Sequence, residues 1–258
     1  MRVGSDIREV AADEREALIA WLGDSPQTVM SVDRLRRGVG RALVHGPVER
    51  PEAAVVQAGR DSVYPAGFGD DPERLWALLG GIERWEAIHV AHALGEAMAA
   101  VIERETNRGT ELIEEIYYVL DRLVTPVPHP DVRLLDEGDV SLMEAATTSL
   151  GMHGWRLGSP GALIANGVAA GAVIDGEPVA VGFTSCRSER HAEVGIVTRE
   201  DHRNRGLSTA AVALVIAEIQ AADLIPVWST SEENVASQRV GAKLGFVEVS
   251  RRVYVNRG

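Results

Sequence analysis

The chain has 258 residues, which is enough for one large domain or two domains of ordinary size. With 45% hydrophobic and 25% charged residues, its composition is typical of a globular protein. No apolar run approaches the roughly 20 residues that a membrane span needs, and a formal net charge of −12 argues against nonspecific binding of nucleic acid. We therefore expect a cytoplasmic protein whose partners include neither nucleic acid nor a membrane.

The first segments in chain order are a helical region and a hairpin. Apolar residues recur between polar ones over residues 6–22, which predicts one helix or two short ones. Residues 41–45 and 53–57 are short β-like runs, and the segment between them contains glycine and prolines. These two runs predict a pair of antiparallel strands.

The next helix has a recognisable start at Asp71-Pro72-Glu73. This tripeptide places proline early and acidic residues in the first turn, as helix beginnings commonly do. The segments that follow are a strand over residues 85–90, a helix over 91–105 and a stretch over 112–123 that is compatible with strand or helix.

Histidines near residue 90 raise the question of a metal site. His89, His92 and Glu96 have a spacing that can place ligands on one helical face, but no further ligand cluster is evident. Cys186 is the single cysteine, which excludes a disulfide framework within the chain and a cysteine-based zinc site of the usual composition. We therefore expect no metal and a buried thiol.

A proline-rich linker divides the sequence. Residues 125–130 contain three prolines, which cannot continue a helix or a central strand. We place a domain boundary here, with an accessory α/β domain over residues 1–130 and a second domain over residues 131–258. The second domain has the predicted order β, α, α, β, β, β, α, β, α, β, with a hairpin turn at Asp175-Gly176.

The most informative stretch is a strand, a charged loop and a helix over residues 193–222. The strand is short, apolar and rich in β-branched residues, and the loop carries Arg203, Gly206 and Ser208 in the pattern Arg-x-x-Gly-x-Ser. Apolar residues then recur at helical spacing. The first turn of a helix has unpaired N–H groups and the positive end of the dipole, so the loop predicts an anion site that suits pyrophosphate.

This stretch resembles motif A of the GNAT N-acetyltransferase superfamily, in which a strand, an Arg/Gln-x-x-Gly-x-Gly/Ala loop and a helix hold the pyrophosphate of acetyl-CoA. Ser208 stands where glycine or alanine is usual. Downstream, Asn234 and Ser237 followed by Gly245-Phe246 resemble motif B, whose helix lies beside the cofactor. The predicted order of elements is also the GNAT order.

The resemblance implies an α/β (α+β) fold in which a mixed central sheet is flanked by helices. It covers the second domain. Residues 228–230 and 234–246, together with Gly206-Leu207-Ser208, also resemble a bacterial GNAT subfamily with a long amino-terminal extension. The first domain is therefore expected to be a smaller α/β domain, either an accessory domain or a divergent GNAT-like half.

By the same resemblance, acetyl-CoA is the cosubstrate and the two motifs supply its contacts. The motif A strand, which GNAT proteins splay open with a bulge, would pair with pantetheine. The loop N–H groups would hold the pyrophosphate, and the motif B asparagine would bind the cofactor arm. The predicted cofactor-binding residues are Ile196, Val197, Thr198, Arg203, Asn204, Arg205, Gly206, Leu207, Ser208, Thr209, Asn234 and Ser237.

Acetyl transfer to an amine also needs a base for the ammonium proton and an acid for the departing thiolate. Glu193 on the motif A strand is the predicted base, with His191 as the alternative. Many GNAT enzymes carry a tyrosine acid four residues before the motif B glycine, and Gly241 stands at that position. Ser237 is therefore the predicted acid; the alternatives are Tyr254, water, or departure of the thiolate without an acid.

Together these patterns predict an N-acetyltransferase that transfers an acetyl group to the amine of a small molecule. Two alternatives stay open: a non-catalytic acyl-CoA-binding regulatory protein, and an enzyme that acetylates protein amino termini. The sequence identifies neither the acceptor nor the oligomeric state.

Overall fold

The structure is a computed structural model and describes residues 6–59, 61–150 and 159–258. The chain divides into two compact units, and each unit collects segments that are distant in sequence. The first unit holds the residues up to Tyr117 with Ser231–Glu233 and Ser250–Gly258, and the second holds Tyr118–Thr230 and Asn234–Val249. Residue 130 lies inside the second unit, and the domain boundary proposed there stays a prediction.

The first half of the chain follows the order β, α, α, β, β, β, α, β, α, β across its described residues. Its elements are β1 (Ile7–Glu9), α1 (Arg15–Leu22), α2 (Val29–Arg36), β2 (Arg41–His45), β3 (Ala53–Gln57), β4 (Ala66–Gly69), α3 (Pro72–Leu79), β5 (Ala87–Ala91), α4 (Gly95–Thr106) and β6 (Thr110–Val119).

The second half repeats this order, as the sequence predicts for residues 131–258. Its elements are β7 (Val132–Leu134), α5 (Val140–Ser149), α6 (Pro160–Asn166), β8 (Ala169–Ile174), β9 (Glu177–Arg187), β10 (His191–Thr198), α7 (Leu207–Ala221), β11 (Ile225–Ser231), α8 (Val235–Leu244) and β12 (Val247–Arg257). The repeated order and the parallel and antiparallel strands confirm the predicted α/β class with a mixed sheet.

The first half departs from the sequence prediction in three places. Ile7–Glu9 is a strand rather than the beginning of a helix, because it pairs with β2 in antiparallel register. The pattern also fails to predict α2, in which half of the residues are polar, and β4, which contains two glycines in four residues. The ambiguous stretch over residues 112–123 is a strand as far as Val119.

The sheet of the first unit has the strand order β1-β2-β3-β4-β5-β12-β6. Strands β1 to β4 are antiparallel neighbours, whereas β4 and β5 are parallel. Alternate residues of β2 and β3 enter two different apolar clusters, one with α3 and α4 and the other with α1 and α2. Helices therefore cover both faces of this sheet.

The sheet of the second unit has the strand order β11-β10-β9-β8-β7. Strands β7 to β10 are antiparallel neighbours, and β11 is parallel to β10. One apolar cluster packs α7 on the sheet around Trp228, and another packs α5 and α6 on it around Met143. None of the helices in the described ranges combines the length and hydropathy that a membrane span requires.

Candidate cofactor site

Strands β10 and β11 run together only at their beginning. Their parallel register covers His191–Glu193 opposite residues 225–227. Immediately afterwards, the pairing of β10 with β9 shifts between Glu193 and Val194, which is a β-bulge. The bulge that the GNAT resemblance implies is thus confirmed. Within the described ranges, no register with β11 extends past Glu193, so one edge of β10 is free of that ladder along residues 196–198.

Helix α7 begins beside the end of β10, and its first turn has no side-chain cap. Gly206 is the N-cap residue and has a left-handed backbone with φ of 80°. A Cβ atom at Gly206 would have no neighbour within 4 Å, so the space in front of the helix is open. The N–H groups of residues 207–209 find no partner among the described residues. An uncapped, open helix start of this kind attracts anions.

A groove of about 510 Å³ joins the free edge of β10 to the start of α7 and to helix α8. This volume lies within the range of small-molecule sites. Its lining residues belong to the second unit and are Leu150, Ile196, Val197, Thr198, Arg203, Asn204, Ser208, Asn234, Ala236, Ser237, Arg239, Val240 and Lys243.

The charged side chains of this groove are all cationic: Arg203, Arg239 and Lys243. None of the three forms an ion pair within the part of the chain that the structure describes. By contrast, Arg199 in the same loop region bonds to Asp201 and Glu177 at 2.8 Å each. Among the described residues, no carboxylate pairs with these three cations, so the groove favours an anionic ligand.

The nearby carboxylate of Asp201 bonds to Arg199 rather than to a cation of the groove. The hydrogen bond from Arg199, followed by that from His202, lowers the pKa of Asp201 to about 2. Asp201 is thus ionised and paired at neutral pH, and Arg203 stays available for another anion.

Eight of the predicted cofactor residues line the groove, and four do not. The eight are Ile196, Val197, Thr198, Arg203, Asn204, Ser208, Asn234 and Ser237, and the four are Arg205, Gly206, Leu207 and Thr209. The side chain of Leu207 is buried in the apolar core. The sequence prediction omits Arg239 and Lys243, although the four-residue spacing between these two positions places both on one face of the helix that follows Asn234.

Asn234 and Ser237 form the start of α8. Asn234 Oδ1 accepts a hydrogen bond from Ser237 N at 3.1 Å, as an N-cap does. The Ser237 hydroxyl accepts a hydrogen bond from Trp228 Nε1 at 3.0 Å. The Ser208 hydroxyl across the groove contacts the Thr198 hydroxyl at 2.7 Å.

The predicted base, Glu193, is not among the residues that line the groove. It is 3% exposed, and one carboxylate oxygen accepts from Ser185 Oγ at 2.8 Å and from Cys186 Sγ at 3.3 Å. The other oxygen bonds to Ser229 Oγ on β11. Glu193 therefore links three strands at the bulge. The alternative base, His191, is also buried.

The remaining acid candidates are placed differently. Tyr254 belongs to the first unit, where its ring stacks on His89 at 4.1 Å between centroids. At Gly241, where the GNAT tyrosine is absent, a Cβ atom would meet Trp228 Cδ1 and Nε1 at 3.6 Å. Ser237 is thus the predicted acid that faces the groove.

The histidines considered for a metal site have carboxylate neighbours instead. His89 Nε2 lies 3.1 Å from Glu115, and His92 Nδ1 lies 3.1 Å from Glu114. In the described ranges, no three His, Cys, Asp or Glu residues are grouped as metal ligands would be.

Comparison with solved structures reveals the same fold over nearly the whole chain. A GCN5-related N-acetyltransferase-like protein from Streptococcus suis has 19% identity and a TM-score of 0.68, with 96% of this chain and 99% of that chain covered. A Drosophila protein has 15% identity and a TM-score of 0.68, with 99% of each chain covered. A tandem GNAT protein from the clavulanic acid biosynthesis pathway has 16% identity and a TM-score of 0.58, with 97% and 98% covered.

The sequence comparisons match a smaller part of the chain than the structural ones. No curated protein matches the chain significantly. The family model described as GNAT acetyltransferase matches residues 156–253, the stretch that contains the bulged strand β10, the loop before α7 and helix α8. Over these residues, the chain is similar to the GNAT acetyltransferase family.

Proposed function

We propose that this chain is an acetyl-CoA-dependent N-acetyltransferase that acts on the amine of a small molecule. The observation that carries the proposal is the open, uncapped start of α7 beside the point where β10 and β11 part. One groove thereby offers phosphate-binding donors next to a free strand edge. That combination suits a ligand with a pyrophosphate at one end and an amide-containing arm at the other.

The phosphate end fits the loop before α7. Unpaired N–H groups of residues 207–209 and the positive helix end would bind the pyrophosphate, with Asn204, Arg205 and Gly206 approaching through their backbone. Arg203 would add a charge-assisted hydrogen bond, which typically contributes about 1.5–3 kcal/mol when desolvated. The exposed position of Arg203 lowers this contribution.

The amide arm fits the edge of β10. Backbone groups of Ile196, Val197 and Thr198 are free of β11 and can pair with an extended amide chain as a neighbouring strand would. The Asn234 side chain uses its oxygen as a helix cap, which leaves its NH₂ group to donate to the arm.

Bound acetyl-CoA would supply a thioester whose acetyl group is attacked by the amine. The chain must hold that group in place and take up the ammonium proton. Glu193 stays the proposed base, and because its carboxylate lies outside the groove lining, it would act through a water molecule. Ser237 would donate a hydrogen bond at the departing sulfur.

Calorimetric titration with acetyl-CoA tests the site. Gly206→Trp fills the open space before α7 and should abolish binding. Gly176→Trp is the matched control, because Gly176 also has positive φ, of 79°, with no neighbour within 4 Å, but lies in the β8–β9 turn. Equal affinity of Gly206→Trp and wild type would overturn the proposal.

Turnover tests the catalytic part. Release of free thiol should rise above hydrolysis with at least one member of a panel of small amines, and Glu193→Gln should lower kcat. Binding of acetyl-CoA without thiol release from any amine would favour a regulatory acyl-CoA-binding protein. Release with peptide amino termini alone would favour a protein acetyltransferase.

A further inference from the structure

Trp228 lies at the point where β11 leaves β10. It directly follows Val227, the last residue of β11 in register with β10. Its side chain is 1% exposed and contacts Phe246 at 5.6 Å between ring centroids. The single polar group of its side chain, the indole N–H, donates a hydrogen bond to the hydroxyl of Ser237 at 3.0 Å.

The chemistry of the two groups fixes the direction of this hydrogen bond. An indole nitrogen carries one hydrogen and cannot accept, so Ser237 Oγ must be the acceptor. The hydroxyl hydrogen of Ser237 is then directed to another atom. Within the described residues Oγ has no second partner, and Ser237 lines the groove. Its O–H is therefore available to a molecule bound there.

Gly241 is the residue that allows this arrangement. It lies one helical turn after Ser237, and its Cα faces the indole, so that even a Cβ atom there would touch Trp228 at 3.6 Å. The side chain of Trp228 thus occupies the space beside position 241. The Trp228 indole and Ser237 therefore lie together beside Gly241, the position at which many GNAT enzymes carry a tyrosine.

We propose that Trp228 is a positioning residue that orients the Ser237 hydroxyl toward the sulfur atom of the bound cofactor. The inference rests on the proposed function. As the carbon–sulfur bond breaks, its electron pair stays on sulfur, and the Ser237 O–H donates a hydrogen bond to the forming thiolate while keeping its proton. The ammonium proton leaves by the separate path through the base, and the thiolate is protonated by water.

The acidity of the thiol of bound CoA measures this interaction without turnover. Thiolate formation is followed by ultraviolet absorbance during a pH titration of the CoA complex. A hydrogen bond to the charged sulfur favours the thiolate, so Ser237→Ala should raise the pKa of the bound thiol by about one unit, a tenfold change in its ionisation constant. Trp228→Phe removes the N–H while keeping an aromatic ring, and should raise it by roughly half a unit.

A double-mutant cycle separates orientation from packing. In the Ser237→Ala background, Trp228→Phe should change the thiol pKa no further. Equal shifts with and without Ser237 would show that Trp228 acts through packing and would overturn the inference. An unchanged thiol pKa in Ser237→Ala would overturn it as well.

A second measurement avoids changing the buried tryptophan. The indole N–H resonance of Trp228 should move to higher field in Ser237→Ala, because its acceptor is gone. An unmoved resonance would contradict the hydrogen bond. If the wild-type protein does not bind CoA, the proposed function and the inference are both wrong. If it binds CoA but Ser237→Ala leaves the thiol pKa unchanged, the inference alone is wrong.

Discussion

The two halves of the chain contain the same structural module. Its helix begins with a side-chain cap in the first half and without one in the second. In each, a strand leads through a loop into a helix and then into a parallel strand: β4, α3 and β5 in the first half, and β10, α7 and β11 in the second. The parallel strands share only a short register, Ala66 opposite His89 in one and His191–Glu193 in the other. Both modules therefore open into a fork.

The helix starts differ in what satisfies their N–H groups. In α3, the Asp71 carboxylate accepts from Glu73 N at 2.9 Å and from Arg74 N at 3.3 Å, and it also pairs with the Arg74 side chain. In α7, Gly206 offers no side chain and the groups stay open. A built-in carboxylate occupies the anion site of one helix, and the other helix can accept an anion from outside.

The forks differ in the same way. Arg252 of β12 donates to Gly67 O of β4 at 2.8 Å and to His89 O of β5 at 2.7 Å, so it bridges the first fork. Its guanidinium also lies 4.7 Å from the Phe68 ring centre. In the second fork, the corresponding strand edge lines the groove. Shared topology thus provides a place for a ligand, and the side chains at the fork decide whether it is filled.

Among the substitutions that test this comparison, the largest expected effect comes from giving α7 the acidic start of α3. In Gly206→Asp, a carboxylate would stand at the start of α7 beside the bound phosphates, and like charges about 6 Å apart repel by roughly 3 kcal/mol at an effective dielectric constant of about 20. Acetyl-CoA affinity measured by calorimetry should fall roughly 30- to 150-fold. Gly206→Asn has the same size, tolerates the left-handed backbone and carries no charge, so its loss should be much smaller. Equal losses would show that shape alone matters.

The arginines of the loop before α7 sharpen the comparison further. Arg203 lines the groove, whereas Arg205, two residues later, does not. Arg203→Gln should weaken acetyl-CoA binding about tenfold, with a smaller salt dependence, because one partly exposed charge contact is lost. Arg205→Gln is the control and should change the affinity by less than about threefold. A larger loss of affinity in Arg205→Gln than in Arg203→Gln would indicate that Arg205, rather than Arg203, contacts the phosphates.

Acidification tests whether the fork between β4 and β5 is closed to water. Burial, and then the charge of Arg252, lower the pKa of His89 well below its ordinary value, against the opposite influence of the nearby Glu115 carboxylate. A lowered folded-state pKa means that the unfolded chain binds the proton first. Stability is therefore retained above about pH 6.5 and lost below it, by at most about 1.4 kcal/mol per pH unit.

Urea titrations at several pH values would measure this dependence. His89→Gln should remove much of the slope between about pH 6.5 and pH 5. The exposed His92 is the control, and His92→Gln should keep the slope of the wild type. A His89 variant with an unchanged slope would indicate that the first fork is open to water.

The smallest effect concerns the cap of α3. Asp71→Ala removes an N-cap carboxylate and should lower the free energy of unfolding by about 1 kcal/mol. Acetyl-CoA affinity should stay unchanged, since the proposed site lies in the second unit. Asp70→Ala, at the exposed neighbouring residue, should alter neither quantity. A loss of acetyl-CoA affinity in Asp71→Ala would mean that the first module also contributes to binding.

Local sequence determines much of this protein. The spacing of apolar residues, the Asp175-Gly176 turn and the loop from Arg203 to Ser208 predict the elements of the second half and the anion site at α7, because periodicity, turn geometry and helix starts are local properties. The half-polar helix α2 and the glycine-containing strand β4 are not predicted, since neighbouring segments stabilise them through packing and pairing.

The tertiary structure alone decides which side chains meet. Glu193 lies on the motif A strand, but its hydrogen bonds come from β9 and β11. Its place in the sequence could therefore not show that its carboxylate lies outside the groove. Likewise, Trp228 reaches Ser237 only because β11 and α8 pack together beside Gly241. The sequence therefore predicts a local anion site at the start of α7. Contacts between distant segments decide which groups face the ligand, because burial and hydrogen-bond geometry depend on the whole packed unit.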